Sequence, residues 1–481
     1  MESSQRRRVL LRVLGRPSRA CDGWTRRNLL SVGGLSLFPT MTLPRLLQAA
    51  GGSEASADRP AAAKAVVLVN LFGGPSHIDM FDLKPKAPSN IRGEFKPIST
   101  AVPGVQICEH LPRTARRMHD AALIRTVTHG YNSHHPYAVF SGFADGKNNS
   151  TGPQPHDHPS MGSVLQFLGR TRRDVPGYVF MPAVPGHSQN PRPGAHAGYL
   201  GRGCDPLFTV CDPKFARKGT FYDPVEPIGD SLLPALDALP QVTAERFGNR
   251  RSLLDQIDSK VSAIESSRAM DGFSSFQRRA LEMLTSSKTR DAFDLSREPD
   301  RIRDRYGRHL YGSSLLAARR LVEAGSTFVA FHWECAVETH GGHWDTHQNN
   351  FNMLRFHLPM LDHMLTALLD DLDDRGLLET TLVIVTGEMG RTPRIGKNAG
   401  RDHWPQCGFC LMLGGGTRRG VVHGTTDKQA GYPIDHPVSP GDLVATIYTL
   451  LGVDADSTVP DRLGRPIGIS HGGQPIEAVI A

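Results

Sequence analysis

Five runs of uninterrupted apolar residues punctuate the chain: "AKAVVLVNLFGG" (63–74), "AALIRTV" (121–127), "STFVAFHW" (326–333), "TTLVIVTGE" (380–388) and "FCLMLGGG" (409–416). They lack the polar alternation of a half-exposed strand, so each is expected as a strand buried on both faces. Between the third and fourth runs, Phe351, Leu354, Leu358, Leu361, Leu365, Leu368 and Leu372 step by threes and fours, the stripe of one long helix. Gly376 closes it, and Pro359 marks its first turn or two as a separate lead-in. Strand, helix, strand in that order predicts a parallel pair with a crossover helix. A final helix is expected in "PGDLVATIYTLLG" (440–452). Residues 143–225 are rich in Gly, Pro, Asp and His and read as long loops. About 230–300 is charged with a helical period, and reads as a helical insertion beside the sheet. The expected class is α/β, a mixed or parallel sheet flanked by helices.

Length and charge refine this picture at the N-terminus. The net charge of +7 is concentrated in a leader where Arg6, Arg7, Arg8, Arg12, Arg16, Arg19, Arg26 and Arg27 precede a short apolar stretch, Leu29–Leu43. Without the leader the chain is near neutral, which removes the electrostatic case for nucleic-acid binding. Arg26-Arg27, the interrupted apolar stretch and the small residues from Ala49 to Ala57 have the layout of a twin-arginine export signal. The apolar stretch is too short for a normal membrane span. The expected partner is therefore the twin-arginine export machinery, with a periplasmic or extracellular destination and no stable membrane span after processing. Residues 1–57 are set aside as signal and linker, which leaves 58–481 as a single large α/β domain. Cys204/Cys211 and Cys407/Cys410 are close pairs that an oxidising compartment would permit to bridge. A lone CxxC entering an apolar run is a weak zinc signal, so Cys407 and Cys410 are expected as buried strand cysteines.

Candidate chemistry collects where the strands end, as it does in open α/β sheets. The first run is followed by His77, Asp79 and Asp82, the second by His129, Ser133, His134 and His135. The third leads to "GGHWDTHQNN" (341–350), and the fourth to Glu388, Arg391 and then Asp402 and His403. In an extended segment His343, Asp345 and His347 share one face, with Trp344 and Thr346 on the other. The following Asn349-Asn350 is a good N-cap pair for the long helix. Imidazoles with a carboxylate suit zinc or another first-row divalent ion. Asp345, His347, His343, His403 and Glu388 are thus the candidate ligands. Arg391 and Arg394 either clamp a sulfate or phosphate oxygen or cap their loops. No GxSxG elbow offers an esterase triad.

The ordered motifs "LVNLFGGPSHIDMFDLKP", "NSHHPYAVFSG", "WDTH", "LLDDLDDRGLLETTLVIVTGEMGRTPR", "GRDHW" and "PGDLVATIYTLLGVD" resemble the domain-of-unknown-function 1501 family over roughly 60–475. That family is similar to a distant branch of the alkaline phosphatase and sulfatase superfamily. The resemblance implies a large sulfatase-like α/β sheet, two metal sites at the strand ends and a nucleophile near Asn132 or Ser133. Asp345, His347 and His403 match the first metal site. Glu388 and Met389 stand at the second site's Asp-His pair, and His77 or Asp79 would replace its other aspartate. Two functions follow. One is a metal-dependent hydrolase of a small-molecule or polysaccharide sulfate or phosphate ester, with zinc as the metal and manganese or calcium as alternatives. Ser133 or water would be its nucleophile, and His134 and His135 its acid-base or positioning groups. The other is a non-catalytic binding or scaffold protein that has lost part of the metal centre.

Overall fold

The computed structural model describes residues 60–144, 152–172, 174–186, 191–212, 214–215, 222–234, 286–334 and 343–481. The leader and most of the 230–300 segment lie outside them; the described end of that segment carries a short helix, Ser287–Phe293.

All five apolar runs form strands of one eight-stranded mixed sheet. The strands are β1 (Ala65–Asn70), β2 (Ala121–Val127), β3 (Tyr178–Met181), β4 (Leu207–Phe208), β5 (Phe328–His332), β6 (Thr381–Thr386), β7 (Gly408–Leu413) and β8 (Val421–His423), in spatial order β8-β2-β7-β6-β1-β5-β3-β4. Every strand runs parallel to its neighbours except β7, which is antiparallel to both β6 and β2. The period-2 alternation of a strand sends successive side chains into two separate cores, which is why the runs are apolar throughout. Val67, Val69, Val329, Phe331, Val383 and Val385 face one core with helices α1 (Leu310–Ala324) and α2 (Asn350–Asp374). Val66, Leu68, Phe328, Ala330, Leu382 and Ile384 face the other with α3 (Pro440–Leu450).

Helix α2 carries the chain from β5 to β6. Both strands lie parallel against β1, so the crossover spans one intervening strand instead of joining immediate neighbours. The expected stripe, Phe351 to Leu372, is buried along its length. The lead-in expected at Pro359 is not separate, because α2 is continuous through it. Pro359 and Arg355 both face solvent; there the ring meets no packed neighbour, and water can bond the carbonyl left without an N–H. Residues 143–225, read as loops, contain β3, β4 and the helix Met161–Phe167. Runs of four and two residues carry too little periodicity to announce themselves. Cys108, Cys407 and Cys410 are unbridged, with Cys407 and Cys410 buried. Among the described residues no helix is long and apolar enough to cross a membrane.

Candidate metal centre

Three strand ends deliver one cluster. The segment after β2 supplies His134, the segment before α2 supplies Asp345 and His347, and a short ribbon beyond β6 supplies His403. That ribbon pairs Gly390–Arg391 with His403–Trp404. The four residues offer ligand atoms that all lie within 4.8 Å of one another. Two glycines make the approach of these segments feasible. Gly73 (φ +111°) follows β1, and a Cβ there would strike the backbone of Trp344 and Asp345; a Cβ on Gly400 would strike the His347 carbonyl.

The Asp345 carboxylate is the hub. His347 Nε2 and His403 Nε2 stand 3.1 Å and 3.4 Å from Oδ1, and His134 Nε2 stands 3.2 Å from Oδ2. His347 Nε2 and His403 Nε2 are 3.0 Å apart. Ligands at 2.0–2.1 Å from a tetrahedral ion are separated by about 3.3 Å, so these spacings fit the edges of a small coordination polyhedron. Three imidazoles and a carboxylate suit a first-row divalent ion and are a poor set for calcium, which takes oxygen.

The outer nitrogens are held as metal-binding histidines usually are, by carboxylates that fix ring orientation and tautomer. His134 Nδ1 meets Glu388 Oε1 at 2.9 Å, and His347 Nδ1 meets Asp402 Oδ1 at 2.8 Å. Glu388 Oε1 also accepts the Gly73 N–H at 2.8 Å, while its Oε2 is buried with no hydrogen-bond partner among the described residues. Arg391, fully buried, donates from Nη2 to Asp345 Oδ1 at 2.5 Å.

Electrostatics follow this geometry. Burial raises the Asp345 carboxyl, but His134, His347, His403 and Arg391 outweigh it and hold the group far below the usual carboxylate range. Burial lowers His134, yet its bonds to Asp345 and Glu388 prevail and bring it up to about 9. Asp345 raises His347 against burial, whereas burial dominates at His403 and lowers it. Without metal, a proton on His134 thus does part of the work a cation would do.

The other expected residues fall elsewhere. His343 is buried; its Nδ1 accepts the Asp345 N–H at 3.1 Å and its ring packs edge-on against Phe72, outside the four-donor group. The i, i+2 alternation does bring Asp345 and His347 to one side, with Trp344 and Thr346 buried on the other. Asp79 is bonded by both Arg401 Nε (2.8 Å) and Nη2 (2.9 Å), by Ser76 Oγ and by Asn350 Nδ2, which occupies its oxygens. His77 Nε2 donates to the Ala430 carbonyl at 2.7 Å, and burial lowers the ring. Neither joins the cluster. Arg391 is no anion clamp: besides Asp345 it bonds the carbonyls of Gly73, Gly74 and Arg401. Arg394 is exposed. Asn349 caps α2 without a side-chain bond, with φ +54°, and sends Nδ2 to the Tyr222 carbonyl instead. Met389 is buried on Gly74. Ser133 is half-buried next to His134, and its Oγ accepts the His135 N–H at 3.3 Å. Glu388 lies outside the four-residue group and is bonded to His134. Sequence spacing misses His332, Glu334 and Arg192, which form a second polar chain beside the cluster.

Among solved structures the chain is similar to the lipoteichoic acid synthase LtaP from Listeria monocytogenes, at 11% identity and TM-score 0.36, over 87% of this chain and 77% of that one. It is similar to the PsFucS1 sulfatase from Pseudoalteromonas sp., at 13% identity and TM-score 0.35, over 89% and 72%. A 2-O GAG sulfatase matches at 10% identity and TM-score 0.39, over 86% and 73%. No curated protein matches the chain. The model of the family described as protein of unknown function (DUF1501) matches residues 63–480, nearly the whole of the described fold, and the chain belongs to that family.

Proposed function

We propose that this protein is an exported, metal-dependent hydrolase of sulfate or phosphate esters, with zinc held by His134, Asp345, His347 and His403. One observation carries the reading: three imidazole Nε2 atoms converge on a single half-buried carboxylate, at 3.1, 3.2 and 3.4 Å. When bound, a zinc ion would polarise an ester oxygen and stabilise the charge that develops on it. The remaining roles belong to the chain itself. Glu388 and Asp402 orient two of the imidazoles, and Arg391 fixes Asp345. Ser133, adjacent to His134, is the nucleophile we assign, with a water as its alternative. Burial, then Arg192 and His134, lower His135, which leaves it neutral at pH 7 and available for proton transfer beside Ser133. The substrate is a small-molecule or polysaccharide ester, and the leader within 1–57 directs export by the twin-arginine route, with 58–481 as the mature domain.

Met389 favours a second reading. A buried thioether, a poor ligand for a hard ion, stands where the resemblance places a ligand of a second metal. A scaffold that retains one metal site without turnover would look the same there. Purified mature protein separates the two through its metal content and its action on nitrophenyl phosphate and nitrophenyl sulfate with zinc, manganese or calcium. One bound metal, with hydrolysis lost in Asp345→Ala and His347→Ala, supports the hydrolase. Stoichiometric metal without turnover of either ester supports the scaffold. Protein that binds no metal and stays inert under every condition would sink the hydrolase, and activity surviving both substitutions would move the chemistry elsewhere.

A further inference from the structure

A second polar chain starts at the ends of β1 and β5, beside the metal cluster. Asn70 Nδ2 donates to His332 Nδ1 at 2.8 Å, which leaves the ring hydrogen on Nε2. That nitrogen donates to Glu334 Oε2 at 3.0 Å, and the Gly186 N–H bonds the same oxygen at 2.8 Å. Glu334 Oε1 then accepts Arg192 Nη1 at 2.5 Å. Asn70, His332 and Glu334 are all buried, whereas the Arg192 side chain keeps 24% of its surface exposed. Burial raises the Glu334 carboxyl, but His332, Arg192 and the Gly186 N–H outweigh it and keep the group ionised well below the usual range.

Three features give this chain a direction. The Arg192 guanidinium lies 4.3 Å from the centroid of the Phe72 ring, and His134 of the metal cluster approaches the same ring at 5.6 Å. Arg192 is also the strongest charge influence on His135, the neighbour of His134. Among the described residues, Glu334 is the hydrogen-bond partner of the guanidinium, engaged through one nitrogen. The edge formed by Nε and the other Nη therefore meets no protein acceptor there. Stability accounts for the pairing of Glu334 and leaves the unfilled edge of Arg192 unexplained. His332, Arg192 and the Gly186 N–H together hold the Glu334 carboxylate ionised, and none of these bonds needs the unfilled edge of the guanidinium. A relay that aims a guanidinium without filling it matches anion recognition, because the arginine fork fits two oxygens of a tetrahedral oxyanion.

We propose that Arg192 is the anion-recognition residue of this site: its free edge binds non-bridging oxygens of a sulfate or phosphate group, and Glu334 is the positioning residue that aims it. The inference rests on the hydrolase reading of the adjacent cluster and names the group that selects its anionic substrate. Calorimetric titration of zinc-loaded mature protein with inorganic sulfate, and separately with inorganic phosphate, tests it and distinguishes the two ester classes. Arg192→Met is expected to weaken binding of the preferred anion by about ten- to a hundredfold, the worth of one charged hydrogen-bonded contact, with zinc stoichiometry unchanged. Arg192→Lys keeps the charge and loses the fork, and is expected to fall between. Glu334→Gln is expected to raise KM for the ester more than it lowers kcat. Wild-type anion affinity in Arg192→Met would overturn the inference; should that variant not fold, wild-type affinity in Arg192→Lys does so. Zinc-loaded protein that binds neither anion also overturns it. If no metal binds, the hydrolase reading falls separately. The same titrations on metal-free protein then decide Arg192, with anion binding lost in Arg192→Met upholding it and no binding by the wild type refuting it.

Discussion

Asp345 and Asp79 are two aspartates near the ends of the central strands, each bonded to a fully buried arginine, and they have opposite chemistry. Asp79 accepts from Arg401 Nε and Nη2, Ser76 Oγ and Asn350 Nδ2, donors that keep their hydrogens at any ordinary pH. Its lone pairs are spoken for. Asp345 accepts from Arg391, but its other neighbours are three imidazole nitrogens. An imidazole nitrogen donates when it carries a hydrogen and ligates when it does not. On the proposed reading the ability to exchange protons for a metal separates the two sites, and the arginine beside each carboxylate does not.

The sharpest way to break this contrast is to remove one group from each site. Asp345→Asn is expected to weaken zinc binding by on the order of a thousandfold, since one of four ligands and its charge are lost, while the fold persists. Arg401→Met should do the reverse. It leaves Asp79 buried without its counter-charge, which costs about 3–5 kcal/mol of stability, yet whatever folds should retain one zinc. The double variant Asp79→Leu/Arg401→Met should recover much of that loss, because replacing a buried pair by apolar residues is often near neutral. Denaturant melts and metal analysis on the same samples check all three. If Asp345→Asn unfolded the protein while Arg401→Met lost its metal, the contrast would be inverted.

That contrast also marks what is legible along the chain. The five sheet strands announce themselves because both of their faces are buried, and α2 because its stripe repeats by threes and fours; its continuity through Pro359 is not legible, since the lead-in expected there is absent. Asp345, His347 and His403 are legible as candidates because acids and histidines at several strand ends point to one place. His77 and Asp79 look equivalent to them, since the pattern shows residue types and not partners. The arginine that closes Asp79 lies 322 positions away in the chain. His343 shares the i, i+2 spacing, yet a segment of bends does not keep strict alternation, and its ring turns to Phe72. His134 is visible as a strand-end histidine, but only the fold shows that its Nε2 reaches the same carboxylate. Arg192 carries no local signal, because its meaning comes from Glu334.

A gentler change acts on the groups that hold the imidazoles. Glu388→Gln and Asp402→Asn each remove a carboxylate behind a histidine, and such changes weaken metal binding by about 10- to 100-fold. Glu388 should sit at the upper end and Asp402 at the lower. The Glu388 side chain is fully buried and Asp402 is 74% exposed, so water can replace the bond that Asp402 makes to His347. Competition with a chelator of known affinity ranks the two. Equal losses would mean that burial of the supporting carboxylate is immaterial.

The smallest effect extends the comparison from aspartates to histidines. His134, between two carboxylates, is raised to about 9, whereas His158 and His309 are lowered to about 4, chiefly by burial. The unfolded value for each is about 6.5. The signs are opposite. In metal-free protein the His134 contribution is fully present below pH 6.5 and fades as pH rises through about 9, because the folded state then loses the proton that ties Asp345 to Glu388. The contributions of His158 and His309 are present above pH 6.5 and fade as pH falls toward 4, because the unfolded chain protonates first. Metal-free protein should therefore lose Tm on both sides of neutrality. Saturating zinc should flatten the alkaline limb alone, since the ion replaces the His134 proton and leaves His158 and His309 as they were. An alkaline limb that zinc does not change would mean that His134 takes no part in holding the metal, and would reduce the centre to Asp345, His347 and His403.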